Sequence, residues 1–185
     1  MFIRALAFSA LFALPMAAHA QDTVAPQTVL SAVTGDWNND GSFDRAVLVE
    51  DEDGASLLVY LSDGDNGMKQ VVSAKDFVWS GAMWGTLPEL RLSSSGGLQI
   101  HAENTGVGRD HWEQTYSLAY RDGKMVVAGL TATSNDTLDP KAGGSCDINF
   151  LTGKGTANRK AVTVPGGAIA VSDWTDDSLP KVCQF

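Results

Sequence analysis

Residues 111–133, HWEQTYSLAYRDGKMVVAGLTAT, decide the fold because they combine two strand-like runs with a turn signal. Asp122-Gly123 lies between the runs, and this dipeptide favours a two-residue turn between antiparallel strands. Side chains alternate across a strand, so the even-numbered residues of the first run, which include Tyr116 and Leu118, are expected to face inward. The odd-numbered residues are expected to meet solvent or a ligand. The stretch therefore predicts a long antiparallel hairpin.

The second run of this hairpin has an ambiguous pattern. Its later apolar residues lie at even-numbered positions. A plain two-residue turn would nevertheless place the odd-numbered Met125 and Val127 opposite Tyr120 and Leu118. Either this strand is buried on both faces, or a β-bulge near Gly129 shifts its register.

Other hairpins and strands are predicted on both sides of this one. Asp44–Glu50 and Ser56–Leu61 are apolar runs around an acidic, glycine-containing turn. Glu89–Leu92 and Leu98–Glu103 flank a run of serines and glycines, and both patterns are typical of β-hairpins. Three later strands are predicted over Asp147–Leu151, Lys160–Val164 and Ala168–Val171.

Helical signals are weak throughout the sequence. The short helical piece predicted over Ser73–Phe77 also rests on a weak signal. Of the 22 acids, 17 are Asp, which favours turns, and the chain contains 19 Gly. We therefore expect one all-β antiparallel domain over residues 21–185, built as a sandwich or as a strongly curved, propeller-like sheet.

The composition excludes several classes of protein. Acids outnumber Lys and Arg by 22 to 13, giving a formal charge of −9, whereas nucleic acids and anionic membrane surfaces bind clustered basic residues. Hydrophobic residues make up 44% of the chain, which is too many for an intrinsically disordered protein. We therefore expect a folded protein without a nucleic-acid partner.

The first twenty residues, MFIRALAFSALFALPMAAHA, have the pattern of a secretory signal peptide. Arg4 precedes an apolar run, and Ala18-His19-Ala20 matches a small-residue cleavage site. The run is too short to span a bilayer, and no later stretch is long and apolar enough. The sequence therefore predicts a periplasmic or secreted protein with no transmembrane segment after removal of residues 1–20.

Cys146 and Cys183 are the only cysteines in the sequence. Two cysteines usually pair in an exported protein, and neither has the neighbouring His or second Cys typical of a reactive thiol. We expect a structural disulfide that ties Leu179–Phe185 back to the residues before Asp147. Thirty-six residues lie between the two cysteines. Closing a loop of that size stabilises a fold by roughly 4 kcal/mol.

Residues 36–44, DWNNDGSFD, carry oxygen-bearing side chains at the spacing of a calcium-binding loop. Calcium takes roughly six to eight oxygen ligands, which a short segment supplies by wrapping around the ion. Gly at the sixth position permits the sharp turn. The predicted ligands are the side chains of Asp36, Asn38, Asp40 and Asp44 and the backbone carbonyl of Ser42.

An Asx-rich turn, in which these side chains hydrogen-bond their own backbone, is the alternative interpretation of the loop. The twelfth position, where a helix–loop–helix site has a bidentate Glu, holds Val47. Calcium binding is therefore expected to be weak, with a dissociation constant of roughly 10⁻⁴–10⁻³ M.

Gly35–Glu50, GDWNNDGSFDRAVLVE, resembles the FG-GAP and VCBS-type repeats, in which G-D-x-N-x-D-G-x-x-D leads directly into an apolar strand. The resemblance implies a calcium-holding loop in front of a β-strand. Those repeats form blades of β-propellers, but the sequence contains one copy, which does not imply a complete propeller. The remainder is similar to small exported bacterial proteins that carry one such loop at the front of an all-β domain.

His101, Glu103, His111 and Glu113 lie near the ends of two predicted strands. If residues 104–110 form the connecting loop, His111 faces Glu103 and Glu113 faces His101, with all four side chains on one face. Such a group can hold zinc or transfer protons. Cross-strand charge pairing on a solvated face is the alternative.

Trp79 and Trp84 flank the short loop 80–83. Exposed indoles can stack on a sugar ring, whereas half-buried ones close off a core. The two residues are therefore predicted to form either a lid over the core or a platform for a ligand.

Three hypotheses about function follow from the sequence. Local catalytic motifs such as G-x-S-x-G and H-E-x-x-H are absent from it. The leading hypothesis is a non-enzymatic exported module in which calcium orders the N-terminal loop and which binds an envelope protein or glycan. The second is a hydrolase of envelope polymers that uses the His101/Glu103/His111/Glu113 face. The third is a purely structural envelope protein.

Overall fold

Twelve β-strands make up most of the part of the chain that the computed structural model describes, which is residues 24–52, 54–64, 67–84, 86–139 and 141–185. The predicted signal peptide, residues 1–20, lies outside the described residues. The strands are β1 (Val29–Gly35), β2 (Asp44–Glu50), β3 (Ala55–Ser62), β4 (Met68–Val78), β5 (Glu89–Leu92), β6 (Leu98–Asn104), β7 (Asp110–Arg121), β8 (Lys124–Asp136), β9 (Gly143–Asn149), β10 (Lys154–Ala157), β11 (Lys160–Thr163) and β12 (Ile169–Ala170). Short 3₁₀ turns occur at Pro26–Thr28, Ala82–Trp84, Val171–Asp173, Asp176–Ser178 and Lys181–Cys183.

These strands form two antiparallel sheets. The first sheet is a meander in the order β1-β2-β3-β4. The second runs β11-β10-β9-β8-β7-β6-β5, and β12 pairs with β8 beside it. The all-β antiparallel fold predicted from the sequence is therefore confirmed.

Both sheets contribute side chains to one hydrophobic core. In the first sheet β3 is buried along most of its length, and in the second Leu98, Ile100 and Ala102 of β6 are almost fully buried. The Phe77 ring from β4 meets the Tyr116 ring from β7 edge to face, with ring centroids 5.5 Å apart. Burying these side chains from both sheets is the main source of stability.

β7 and β8 form the hairpin predicted from the sequence. Asp122 and Gly123 both have positive φ, 50° and 79°, as a type I′ turn requires. Arg121 pairs with Lys124 directly across this turn. The local turn chemistry therefore sets the register at this end of the hairpin.

A β-bulge interrupts β8 at Ala128. Leu118 pairs with Val127, whereas the preceding Ser117 pairs with Gly129, so Ala128 is the extra residue. Beyond the bulge the inward positions of β8 change from odd-numbered to even-numbered residues. The bulge predicted near Gly129 is confirmed.

β4 contradicts the helical prediction over Ser73–Phe77. Ala74 pairs with Leu57 of β3, and Phe77 is buried in the core. Pairing with a long, buried neighbouring strand outweighs a weak local preference for helix. Asp76 has a positive φ of 47° where β4 carries extra residues against β3, so the strand continues past the irregularity.

Cys146 and Cys183 form the predicted disulfide, and their Cα atoms are 5.3 Å apart. Both cysteines are buried. Because Cys146 belongs to β9, the bond holds Leu179–Phe185 against the second sheet. Within the described ranges, no helix is long and apolar enough to cross a membrane.

Candidate functional site

The oxygen-rich residues 36–44 connect β1 to β2. Both carboxylate oxygens of Asp36 accept backbone hydrogen bonds, from the N–H of Asp40 at 3.1 Å and from the N–H of Gly41 at 3.0 Å. Asn38 Oδ1 accepts from the same Asp40 N–H, also at 3.1 Å. Because they share this donor, oxygens of Asp36 and Asn38 converge on one point of the loop.

Asp40 lies in the exposed part of this loop. Its carboxylate accepts hydrogen bonds from the Asn38 side-chain amide at 2.7 Å and from the Ser42 backbone N–H at 2.8 Å. These donors, the Asn38 amide foremost, hold the pKa of Asp40 below its ordinary value. Gly41 has a positive φ of 84°, and a side chain there would meet no atom within 4 Å, so glycine is favoured for its conformation.

Asp44, unlike the other four predicted ligands, lies in the interior. Its side chain is fully buried at the start of β2. Oδ2 accepts the Trp37 backbone N–H at 2.8 Å, and Oδ1 accepts the Ser62 backbone N–H at 3.0 Å. Two backbone donors compensate a carboxylate for the loss of water. Asp44 therefore fastens the loop to the end of β3.

Trp37 fixes the loop from beneath. Its side chain is buried, and a Cβ at Gly35 would lie 2.6 Å from Trp37 Nε1. The indole therefore packs directly on the Gly35 backbone, and no larger residue fits there without moving it. The glycine at the start of the motif has a packing role in this chain.

The predicted side-chain ligands of the loop suit a hard cation, because the atoms that would coordinate it are all carboxylate or amide oxygens. The hydrogen bonds to backbone N–H groups are equally those of the Asx-rich turn, the alternative drawn from the sequence. Among the residues that the structure describes, no three His, Cys, Asp or Glu side chains are grouped as a metal site. The calcium role of the five predicted ligands stays a prediction.

The face that carries His101, Glu103, His111 and Glu113 divides into separate groups. Glu103 pairs with Glu113, and His101 pairs with Thr115, so the register lies two residues from the expected one. The expected facing of His111 to Glu103 and of Glu113 to His101 is therefore wrong. His101 instead contacts Glu103 along its own strand, at 3.5 Å between Nε2 and Oε2, and its Nδ1 lies 3.1 Å from Thr115 Oγ1.

The loop between β6 and β7 accounts for this register. The Asn104 side chain binds both the N–H and the carbonyl of Val107, at 3.1 and 3.0 Å, and pairing begins at Trp112. His111 pairs with Asn135 of β8 instead. Along β7 it is four residues from the partner of His101, a distance of about 13 Å. The two histidines therefore do not form one zinc or acid–base site.

Trp79 and Trp84 occupy different environments. Trp79 is half-buried, and its ring meets Trp112 of β7 edge to face, with ring centroids 5.5 Å apart. Trp84 is 59% exposed, and the neighbouring Met83 is 87% exposed. Trp79 thus closes the margin of the core while Trp84 lies on the surface, so the two indoles do not form one platform.

A cleft of about 450 Å³, which the sequence did not indicate, lies at the open end of the β7–β8 hairpin. Trp112 and Phe185 contribute aromatic walls, and Gln114, Ser134 and Asn135 contribute polar groups. The hairpin end and the segment Leu179–Phe185 meet here beside the disulfide. The predicted disulfide was the signal in the sequence that could have brought these segments together.

An ion pair lies at this end of the hairpin. Arg109 contacts the Asp136 carboxylate, which also accepts the backbone N–H groups of Leu138 and Asp139 at 2.8 and 3.2 Å. The Arg109 hydrogen bond first, and then these N–H groups, lower the pKa of Asp136 to about 2. The same pair raises the pKa of Arg109. The guanidinium is therefore already engaged by a carboxylate.

Comparison with models of protein families, with curated proteins and with solved structures finds no match to this chain. The resemblance of Gly35–Glu50 to the FG-GAP and VCBS-type repeats stays a prediction from the motif. Function is therefore argued from the geometry of the loop 36–44 and of the cleft.

Proposed function

We propose that this chain is a non-enzymatic exported module in which calcium orders the loop 36–44, and that it acts by binding a partner in the envelope. Two features favour export: the signal-like pattern of residues 1–20 and the disulfide, which is typical of oxidising compartments. The separation of His101 from His111 along the sheet favours binding over hydrolysis.

The arrangement of the loop carries the calcium proposal. Asp44 is buried and tied to the backbone, so one end of the loop is fixed before any ion arrives. Asp36, Asn38 and Asp40 remain near the surface with their oxygens gathered around a tight turn. Because Asp44 is already fixed and the other oxygens already converge, less conformational entropy is lost from the loop when an ion binds.

The side chains of Asp36, Asn38, Asp40 and Asp44 and the carbonyl of Ser42 would hold the ion. Calcium supplies two positive charges, which offset the repulsion among the three carboxylates. With a dissociation constant of about 1 mM, 10 mM calcium stabilises the folded chain by about 1.4 kcal/mol. Ordering this loop would also steady the β1–β2 connection.

The test compares unfolding of the purified chain in chelator and in 10 mM calcium. The wild type should gain stability in calcium, and Asp40→Ala should lose that gain while changing little in chelator, because Asp40 is exposed. Asp44→Ala should lose the gain and also about 2–4 kcal/mol in chelator, since two buried N–H groups lose their acceptor. Chemical denaturation measures both quantities.

Replacing the exposed Asp177 provides the matched control, because this substitution also removes one carboxylate, at a position far along the chain from the loop. Asp177→Ala should keep the full calcium effect. A wild type that gains nothing in calcium, or an Asp40→Ala variant that gains as much as the wild type, would contradict the proposal.

A further inference from the structure

We infer that the cleft between the open end of the β7–β8 hairpin and Leu179–Phe185 binds a neutral oligosaccharide. The inference rests on the proposed function of a binding module, and it adds the class of ligand and the site. The cleft measures about 450 Å³, within the range of roughly 300–1,000 Å³ typical of small-ligand sites. A concave site of this size suits one or a few sugar units better than the broad surface that a protein partner needs.

Two aromatic side chains supply apolar walls of the kind on which sugar rings stack. Phe185 is 50% exposed, and its ring packs on Gly144, where a Cβ would lie 2.2 Å from the ring. Trp112 is held by the edge-to-face contact with Trp79. Both rings are therefore positioned before a ligand arrives, which reduces the entropic cost of binding.

The polar lining of the cleft matches hydroxyl groups. Gln114, Asn135 and Ser134 offer amides and a hydroxyl, and such groups both donate and accept hydrogen bonds, as sugar hydroxyls do. Gln114 Oε1 accepts the Tyr116 hydroxyl at 2.9 Å, which fixes the orientation of its amide. Tyr116 is itself buried between two other rings, so this support is rigid.

The charges around the cleft disfavour an anionic ligand. Asp110, His111 and Asp136 line it, and no Lys or Arg does so among the residues that the structure describes. Arg109 is paired with Asp136. The chain as a whole carries a formal charge of −9, which repels polyanions further. A neutral glycan therefore fits better than a phosphorylated or uronic-acid polymer.

The test titrates the purified chain with cellohexaose, maltohexaose and chitohexaose, and with polygalacturonate as the anionic comparison, using calorimetry. At least one neutral hexamer should bind. Phe185→Ala should weaken that binding about tenfold, and Phe185→Trp, which keeps an aromatic wall, should retain it. Trp84→Ala removes an exposed indole outside the cleft and should leave the affinity unchanged.

Three outcomes would overturn the inference. Failure of all three neutral hexamers to bind, stronger binding of polygalacturonate, or loss of affinity in Trp84→Ala with none in Phe185→Ala would each do so. Repeating the titration in chelator separates this site from the loop 36–44. Sugar binding without a calcium effect on stability would support the cleft as a sugar site and contradict the calcium proposal. A calcium effect on stability without sugar binding would support the calcium proposal and contradict the sugar site.

Discussion

Asp136 is a single residue on which several contacts at the end of the β7–β8 hairpin depend. Its carboxylate joins the Arg109 guanidinium to the backbone of the chain that leaves β8. Those donors stabilise the charged form of the carboxylate, which is why its pKa falls to about 2 from an ordinary value of 3.8. Protonating Asp136 would weaken all of these contacts together.

Asp136→Asn is expected to lower the melting temperature near pH 7 and to have a much smaller effect near pH 2. The folded-state pKa lies below the ordinary value, so the stabilisation is present above about pH 4 and is lost as the pH falls through about 2. Thermal unfolding of both proteins across this range measures the difference. Asp177→Asn is the control. A difference of equal size at every pH would show that the charge of Asp136 is not its source.

Single residues also mark a limit of prediction from sequence. The spacing of Asp36, Asn38, Asp40 and Asp44 predicts a loop that wraps around an ion, but it does not indicate which of the four side chains is buried. The fold distinguishes them, because the Ser62 N–H at the end of β3 lies where it can bind Asp44. That donor is 18 residues away in sequence, and no local pattern indicates its position.

Among the elements, those whose geometry is set locally could be predicted. The Asp122-Gly123 turn fixes the start of β7–β8, and the conflict between odd and even apolar positions indicates the bulge at Ala128. The register of β6 against β7 could not be predicted, because it depends on how the Asn104 side chain folds the loop onto Val107. β4 likewise forms because β3 is beside it.

Gly123→Ala tests how much the conformation of the Asp122-Gly123 turn contributes to the free energy of unfolding. At a φ of 79° a Cβ crowds the neighbouring carbonyl, so the substitution is expected to lower the free energy of unfolding by about 1–2 kcal/mol. Gly106→Ala is the matched control, because Gly106 lies in the preceding loop, between β6 and β7, without a positive φ and with no atom within 4 Å of an added Cβ. Chemical denaturation compares the two. Equal effects would mean that the turn conformation does not limit stability.

At the scale of the whole molecule, composition and cysteine count indicated an all-β chain closed by a disulfide, but not how its two sheets meet. The contact of Phe77 with Tyr116 and the hydrogen bond from Leu90 N–H to Ser31 Oγ join segments far apart in sequence. The cleft arises in the same way, from β7, β8 and Leu179–Phe185. Long-range packing of this kind leaves no periodicity in the sequence.

The disulfide links the stability of the molecule to the shape of its cleft. Replacing Cys146 and Cys183 with Ser should lower the free energy of unfolding by roughly 4 kcal/mol, because the unfolded chain regains the freedom that the closed loop removed. The segment Leu179–Phe185 should also open, so trypsin should cut after Lys181 faster than in the wild type. Cleavage after Arg159, in the β10–β11 turn, should proceed at the same rate in both proteins under folding conditions. If the double variant unfolds at the same denaturant concentration as the wild type, packing alone holds the segment in place, and the cleft wall does not depend on the disulfide.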